Sequence, residues 1–81
     1  MHVEVEHMLA TGRIDVLAET SRYIYVMELK LSCNGGLESA ASQIRANRYT
    51  APFEVDAHQT IALAIELDDQ GKGLVGWKVV E

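Results

Sequence analysis

Gly12-Arg13-Ile14-Asp15-Val16-Leu17-Ala18-Glu19, then Thr20-Ser21-Arg22, then Tyr23-Ile24-Tyr25-Val26-Met27-Glu28-Leu29-Lys30-Leu31 is the stretch that decides the fold. Both halves are rich in β-branched and aromatic residues and are bounded by turn formers, which predicts two antiparallel strands around a polar break. Side chains two apart on a strand share a face, so Glu28 and Lys30 point the same way. A two-residue loop at Ser21-Arg22 pairs Thr20 with Tyr23 and, counting outward, sets Asp15 directly opposite Glu28. An odd loop or a bulge would break that parity.

Two carboxylates held close beside a lysine repel each other in a partly dehydrated site unless a cation neutralises them. Mg²⁺ suits such a pair, because it prefers oxygen ligands, keeps several waters and commonly takes only one or two protein carboxylates. Lys30 would then stand beside the metal-bound water, placed to orient or deprotonate it, or to stabilise charge building on a phosphate. The same spacing also fits a cross-strand salt bridge on a solvated sheet face.

Outward from the hairpin, Val3 and Val5 alternate with Glu4 and Glu6, predicting a first strand through about Leu9, and Thr11-Gly12 turns the chain into the second. The first three strands then form an antiparallel meander. Ser32-Cys33-Asn34-Gly35-Gly36 breaks the pattern, and Leu37, Ala40, Ala41 and Ile44 follow at helical spacing, with an end expected near Tyr49 before Ala51-Pro52. Thr60 to Leu67 is an almost continuous apolar run, expected to be a strand buried on both faces. Leu74 to Val80 is the last strand, with Trp77 expected in the core. A strand-helix-strand unit predicts a right-handed parallel crossover, hence an α/β fold with a mixed sheet of about five strands. One helix covers one face only. The other is left for a homodimer or higher assembly to cover.

Composition agrees with one small domain: 81 residues, 48% of them hydrophobic. No apolar stretch approaches the roughly 20 residues that span a bilayer, and no basic-then-apolar leader opens the chain, so a cytoplasmic protein without a membrane partner is expected. The single Cys33 has no Cys or His at zinc-ligand spacing and is read as a small loop or helix-edge residue. His2, His7 and His58 share no such spacing either and are read as surface or edge residues.

The ordered set Gly12-Arg13-Ile14-Asp15, Tyr23 to Lys30, Gln43-Ile44 and Tyr49, closing with Trp77-Lys78-Val79, resembles the PD-(D/E)XK nuclease superfamily. It is similar, more narrowly, to the bacterial branch found C-terminal to AAA-ATPase-like domains. The resemblance covers nearly the whole chain. It implies a restriction-endonuclease-like core that hydrolyses DNA or RNA phosphodiesters with Mg²⁺ or Mn²⁺. Asp15 and Glu28 would hold the ion, the Leu29 carbonyl would add a ligand, Lys30 would position the attacking water, and Gln43 would support from the helix. Members usually begin with a helix that often supplies another acid. This chain opens strand-like, so residues 1–81 are read as a single domain that is a truncated or C-terminal piece of a longer protein, with Glu4 and Glu6 as the only upstream acids.

Charge points the other way. Seven basic residues against twelve acidic ones give −5, whereas phosphate binding normally needs a basic surface. Arg13, Arg22, Lys30, Arg45 and Arg48 occupy the central part of the chain, while Glu54, Asp56, Glu66, Asp68 and Asp69 crowd the later part. Binding of nucleic acid by this piece alone is expected to be weak. The alternative function is a non-catalytic interaction or assembly module that keeps the nuclease fold and docks on an ATPase partner domain.

Overall fold

A computed structural model of the chain describes residues 1–54 and 58–81. It contains β1 (His2–Leu9), β2 (Gly12–Glu19), β3 (Tyr23–Leu31), α1 (Gly36–Ala46), β4 (Gln59–Leu67) and β5 (Leu74–Val80), with short 3₁₀ turns at Ser32–Asn34 and Ala51–Phe53. The strands form one sheet in sequence order; β3 and β4 are parallel and the other neighbours antiparallel. This is the expected meander followed by a strand-helix-strand crossover. Asp56 of the later acidic group lies outside the described residues.

The β2–β3 turn is the two-residue loop the sequence predicts. Thr20 N donates to Tyr23 O at 2.8 Å, and Tyr23 N donates to the Thr20 hydroxyl at 3.0 Å, so one side chain locks the turn. The ladder then runs Glu19↔Ile24, Ala18↔Tyr25, Leu17↔Val26 and Val16↔Met27. It stops one step short of Asp15 and Glu28.

Helix α1 lays Ala40, Ala41 and Ile44 on the sheet, where they meet Ala62 and Ala64 of β4 and Val26 of β3. Alanines at the contact let helix and sheet approach closely, while Ile44 fills the deeper space beside Ile14, Leu17 and Ile24; truncating it to Ala would cost roughly 2–5 kcal/mol. The helix ends at Ala46, earlier than the pattern suggested. Arg48 takes a left-handed conformation (φ 51°), Tyr49 N donates back to Ile44 O at 3.2 Å and Arg48 N to Arg45 O at 3.2 Å, closing the last turn.

The later acids have structural work that a charge count hides. Glu66 Oε1 accepts the Leu37 N–H at 3.1 Å at the start of α1, and its other oxygen accepts the Ser32 hydroxyl. Asp69 accepts the Cys33 N–H at 2.8 Å, and Asp68 Oδ1 accepts the N–H groups of Gln70 and Lys72, each at 3.0 Å. Gly36 opens the helix at φ 55°, where a Cβ would collide with the Glu66 carboxylate.

Two burial expectations are corrected. On β4 only Ala62 and Ala64, facing α1, are buried; Ile61, Leu63 and Ile65 on the opposite face are half-buried. Trp77 is 61% exposed rather than in the core, because β5 is an edge strand and the residues beside Trp77, not Trp77 itself, face the helix. No helix among the described residues is long and apolar enough to cross a membrane.

Candidate functional site

The site forms where the β1–β2 hairpin rolls over the end of α1. Ile14 and Leu17 lie three apart yet share one buried cluster, which a flat strand forbids. Opposite them, Glu6 on β1 sits at φ 59°, and beyond it His7 turns to the helix side, its ring 6.2 Å from that of Phe53. Asp15 stands at the pivot of this roll. Released from the ladder, its carboxylate Oδ2 accepts the Leu29 N–H at 3.0 Å, taking the place of a β2 carbonyl.

The five predicted residues, Asp15, Glu28, Leu29, Lys30 and Gln43, line one cleft of about 570 Å³. Glu28 is 2% exposed; its Oε2 lies 3.9 Å from Lys30 Nζ, and its buried Oε1 has no hydrogen-bond partner among the described residues. Burial, and then the Asp15 charge, push the Glu28 carboxyl up to about 7, with Lys30 pulling the other way. Arg13 also lines the cleft, with Nη2 3.7 Å from Asp15 Oδ1 and Nη1 3.0 Å from Glu6 Oε1.

Helix α1 and the segment after it supply the far wall. The Tyr49 ring is buried, and its hydroxyl lines the cleft and accepts Gln43 Nε2 and Asn47 Nδ2, each at 3.1 Å. Tyr49 therefore both packs and borders the site. Gly12 passes beneath it with φ 156°, and a Cβ there would come within 2.8 Å of the hydroxyl oxygen. Asn47 is the residue the sequence reading missed. Its spacing of four from Gln43 places both amides on one side of the helix end, which is the signal that would have found it. The Asn47 carbonyl also accepts the Thr11 hydroxyl at 2.7 Å, tying the β1–β2 turn to the helix.

Among the described residues no group of three or more His, Cys, Asp or Glu side chains could hold a metal ion. Two carboxylates and a backbone carbonyl still suit a hard, largely hydrated cation, and a buried carboxylate oxygen without a donor is the group such a cation would satisfy. Glu4 and Glu6 do not line the cleft. Glu4 pairs with His7 Nδ1 at 2.6 Å, a bond that holds its carboxyl below the usual range, and Glu6 is taken by Arg13. His58 faces Glu19 at 3.5 Å, and Cys33 is exposed. Arg45 and Arg48 border a separate cavity of about 220 Å³ on the other side of the helix end, with Glu54 and Glu81.

A family model described as the PD-(D/E)XK nuclease superfamily matches residues 1–77. No curated protein and no solved structure matches the chain.

Proposed function

The chain belongs to the PD-(D/E)XK nuclease superfamily, and from that premise we propose that its cleft hydrolyses phosphodiester bonds of nucleic acid. The observation that carries the reading is the convergence of Asp15, Glu28, Lys30 and Gln43 on one cleft, with a buried oxygen on Glu28 that has no hydrogen-bond partner among the described residues. Superfamily members generally use divalent metals. Here Mg²⁺ or Mn²⁺ would be held by Asp15, Glu28 and the Leu29 carbonyl, and would supply a more acidic water and neutralise the scissile phosphate.

Asp15 is oriented by the Leu29 N–H, which leaves its second oxygen toward the cleft. Lys30, the cation nearest Glu28, offers its ammonium to orient the attacking water and to stabilise charge on the phosphate oxygens. Gln43 spends its amide N–H on Tyr49, so its carbonyl is the group available to accept a hydrogen bond from that water. Arg13 adds positive charge where a phosphate would enter.

Mn²⁺ titration by calorimetry tests the first step, and binding is expected to vanish in Asp15→Asn. Lys30→Ala should keep cation binding and lose turnover by about 10²–10⁴-fold. Absence of both binding and cleavage would sink the proposal. The second reading, a non-catalytic module docked on an ATPase domain of a longer cytoplasmic protein, is favoured by the net charge of −5 and expects neither signal.

A further inference from the structure

Cations are scarce in this chain, and three of them are paired with acids: Arg13 with Glu6, Lys30 with Glu28 and Lys78 with Glu38. Arg45 and Arg48 differ. Among the described residues neither is paired with an acidic side chain; Arg45 Nε donates to the Glu81 main-chain oxygen at 3.4 Å, and the Arg48 guanidinium has no hydrogen-bond partner. Both line one cavity at the end of α1. Arg48 occupies the left-handed position just past the helix, where glycine or asparagine is usual. The helix dipole accounts for a basic residue in the last turn, which is Arg45, but not for a long side chain carried on strained backbone.

Three hollows ring this helix end. Ile44 faces the sheet, and at about 100° per residue Gln43 and Arg45 fall on opposite flanks of α1, the cleft on one and the 220 Å³ cavity on the other. Between them a hollow of about 330 Å³ is lined by Leu9, Ala10, Thr11, Arg48, Ala51 and Pro52, and it shares Arg48 and Ala51 with the far cavity. Gly12 and Asn47 line the cleft while their neighbours Thr11 and Arg48 line the middle hollow, so the Thr11–Asn47 hydrogen bond marks the divide.

We propose that a single nucleic-acid strand leaves the cleft across this divide, with its phosphates on Arg48 and then Arg45 and a sugar or base against Leu9 and Pro52. The inference rests on the nuclease reading above and names the form of its substrate. The route turns from one flank of a helix to the other within a molecule 36 Å long, which a flexible strand follows and a duplex, stiff over about 150 base pairs, does not. Glu54 and Glu81 border the far cavity, so attraction is confined to the two arginines and salt weakens it readily.

Fluorescence anisotropy tests this, with a labelled oligothymidylate of about twelve nucleotides and the full chain carrying Lys30→Ala in Mn²⁺, a background that holds turnover down. The strand should bind, its log affinity falling with log salt. Arg48→Gly and Arg45→Gln should each weaken it about two- to fivefold and make that slope shallower by about 0.7. Arg48→Gly should melt no lower than its parent, because glycine suits the left-handed backbone. Arg22→Gln, at the β2–β3 turn, should leave the slope as it was. A slope unmoved by both helix-end substitutions overturns the path, and so does a duplex of equal length that binds as tightly with the same dependence on Arg48. Calorimetry with Mn²⁺ keeps the two readings apart: a cation bound without any strand overturns the path alone, whereas an arginine-dependent strand bound without a cation keeps the path and overturns the nuclease.

Discussion

The Asp15 carboxylate accepts the backbone N–H of Leu29 at 3.0 Å, so the residue that ends the β2–β3 ladder is also the one that borders Glu28 in the cleft. One bond thus serves both strand geometry and site geometry. Asp15→Asn retains an acceptor for Leu29 and should hold thermal stability within about 1 kcal/mol of the parent, while Asp15→Ala leaves that N–H unpaired and loses about 1–3 kcal/mol. Removing the Asp15 charge also removes a cause of the raised Glu28 titration. In Asp15→Asn the Glu28 carboxyl should titrate below about 7 yet above the ordinary value of 4.5, because its burial remains. Carboxyl carbon NMR reads this directly.

Glu28 makes the metal-free protein lose stability between mildly acid and neutral pH. Its carboxyl holds a proton in the folded chain up to about 7 and loses it near 4.5 when unfolded, so the folded state binds more protons between those values. Stability is therefore expected to fall as pH rises through that window, by roughly 3 kcal/mol in all, and to stay lower above it. Glu28→Gln should flatten this part of the profile and be the more stable protein at about pH 8, near parity returning at about pH 5. Denaturant titrations across the range check the sign. Mn²⁺ should restore the parent at the alkaline end, by about 2.7 kcal/mol at a hundredfold excess over its Kd, and leave Glu28→Gln unmoved.

Tyr49→Phe removes the one acceptor shared by Gln43 and Asn47. Both amides lose a partner at the edge of a buried ring, at an expected cost of about 1–3 kcal/mol. Cation binding by calorimetry should be nearly unchanged, because no ligand is altered. Turnover should drop as Gln43 loses its fixed orientation, and a single-turnover assay separates the two effects.

Gly36→Ala tests the helix entry. The left-handed backbone and the Glu66 carboxylate both exclude a Cβ, and moving Glu66 unpairs the Leu37 N–H. A loss of about 1–3 kcal/mol is expected in thermal melts. Glu66→Gln, which keeps an acceptor at the same place, should cost less.

Much of this architecture is legible from local chemistry. Thr20-Ser21-Arg22 set the parity that brings Asp15 to Glu28, and the spacing of Leu37, Ala40, Ala41 and Ile44 identifies the helix face that is packed. What escaped depends on neighbours distant in sequence. Trp77 looks like core until β5 proves to be an edge strand with no helix among the described residues on that side. The roll between Ile14 and Leu17 requires Glu6 of another strand to turn left-handed, and no residue type there announces it. Asn47 belongs to the site only because Tyr49 folds back beneath the helix end. Glu66 and Asp68 count as negative surface in a composition and become backbone acceptors in the fold.

The placement of both acids and the lysine on one hairpin also orders events in time. The meander closes short loops, whereas β4 must return across the helix to pair in parallel, a slower and more costly closure. Asp15 and Glu28 are thus expected to meet while water still reaches them, with much of the dehydration of Glu28 falling on the docking of the helix. Raising the pH from about 4.5 to 7 should accordingly quicken the unfolding limb of a chevron more than it slows the refolding limb.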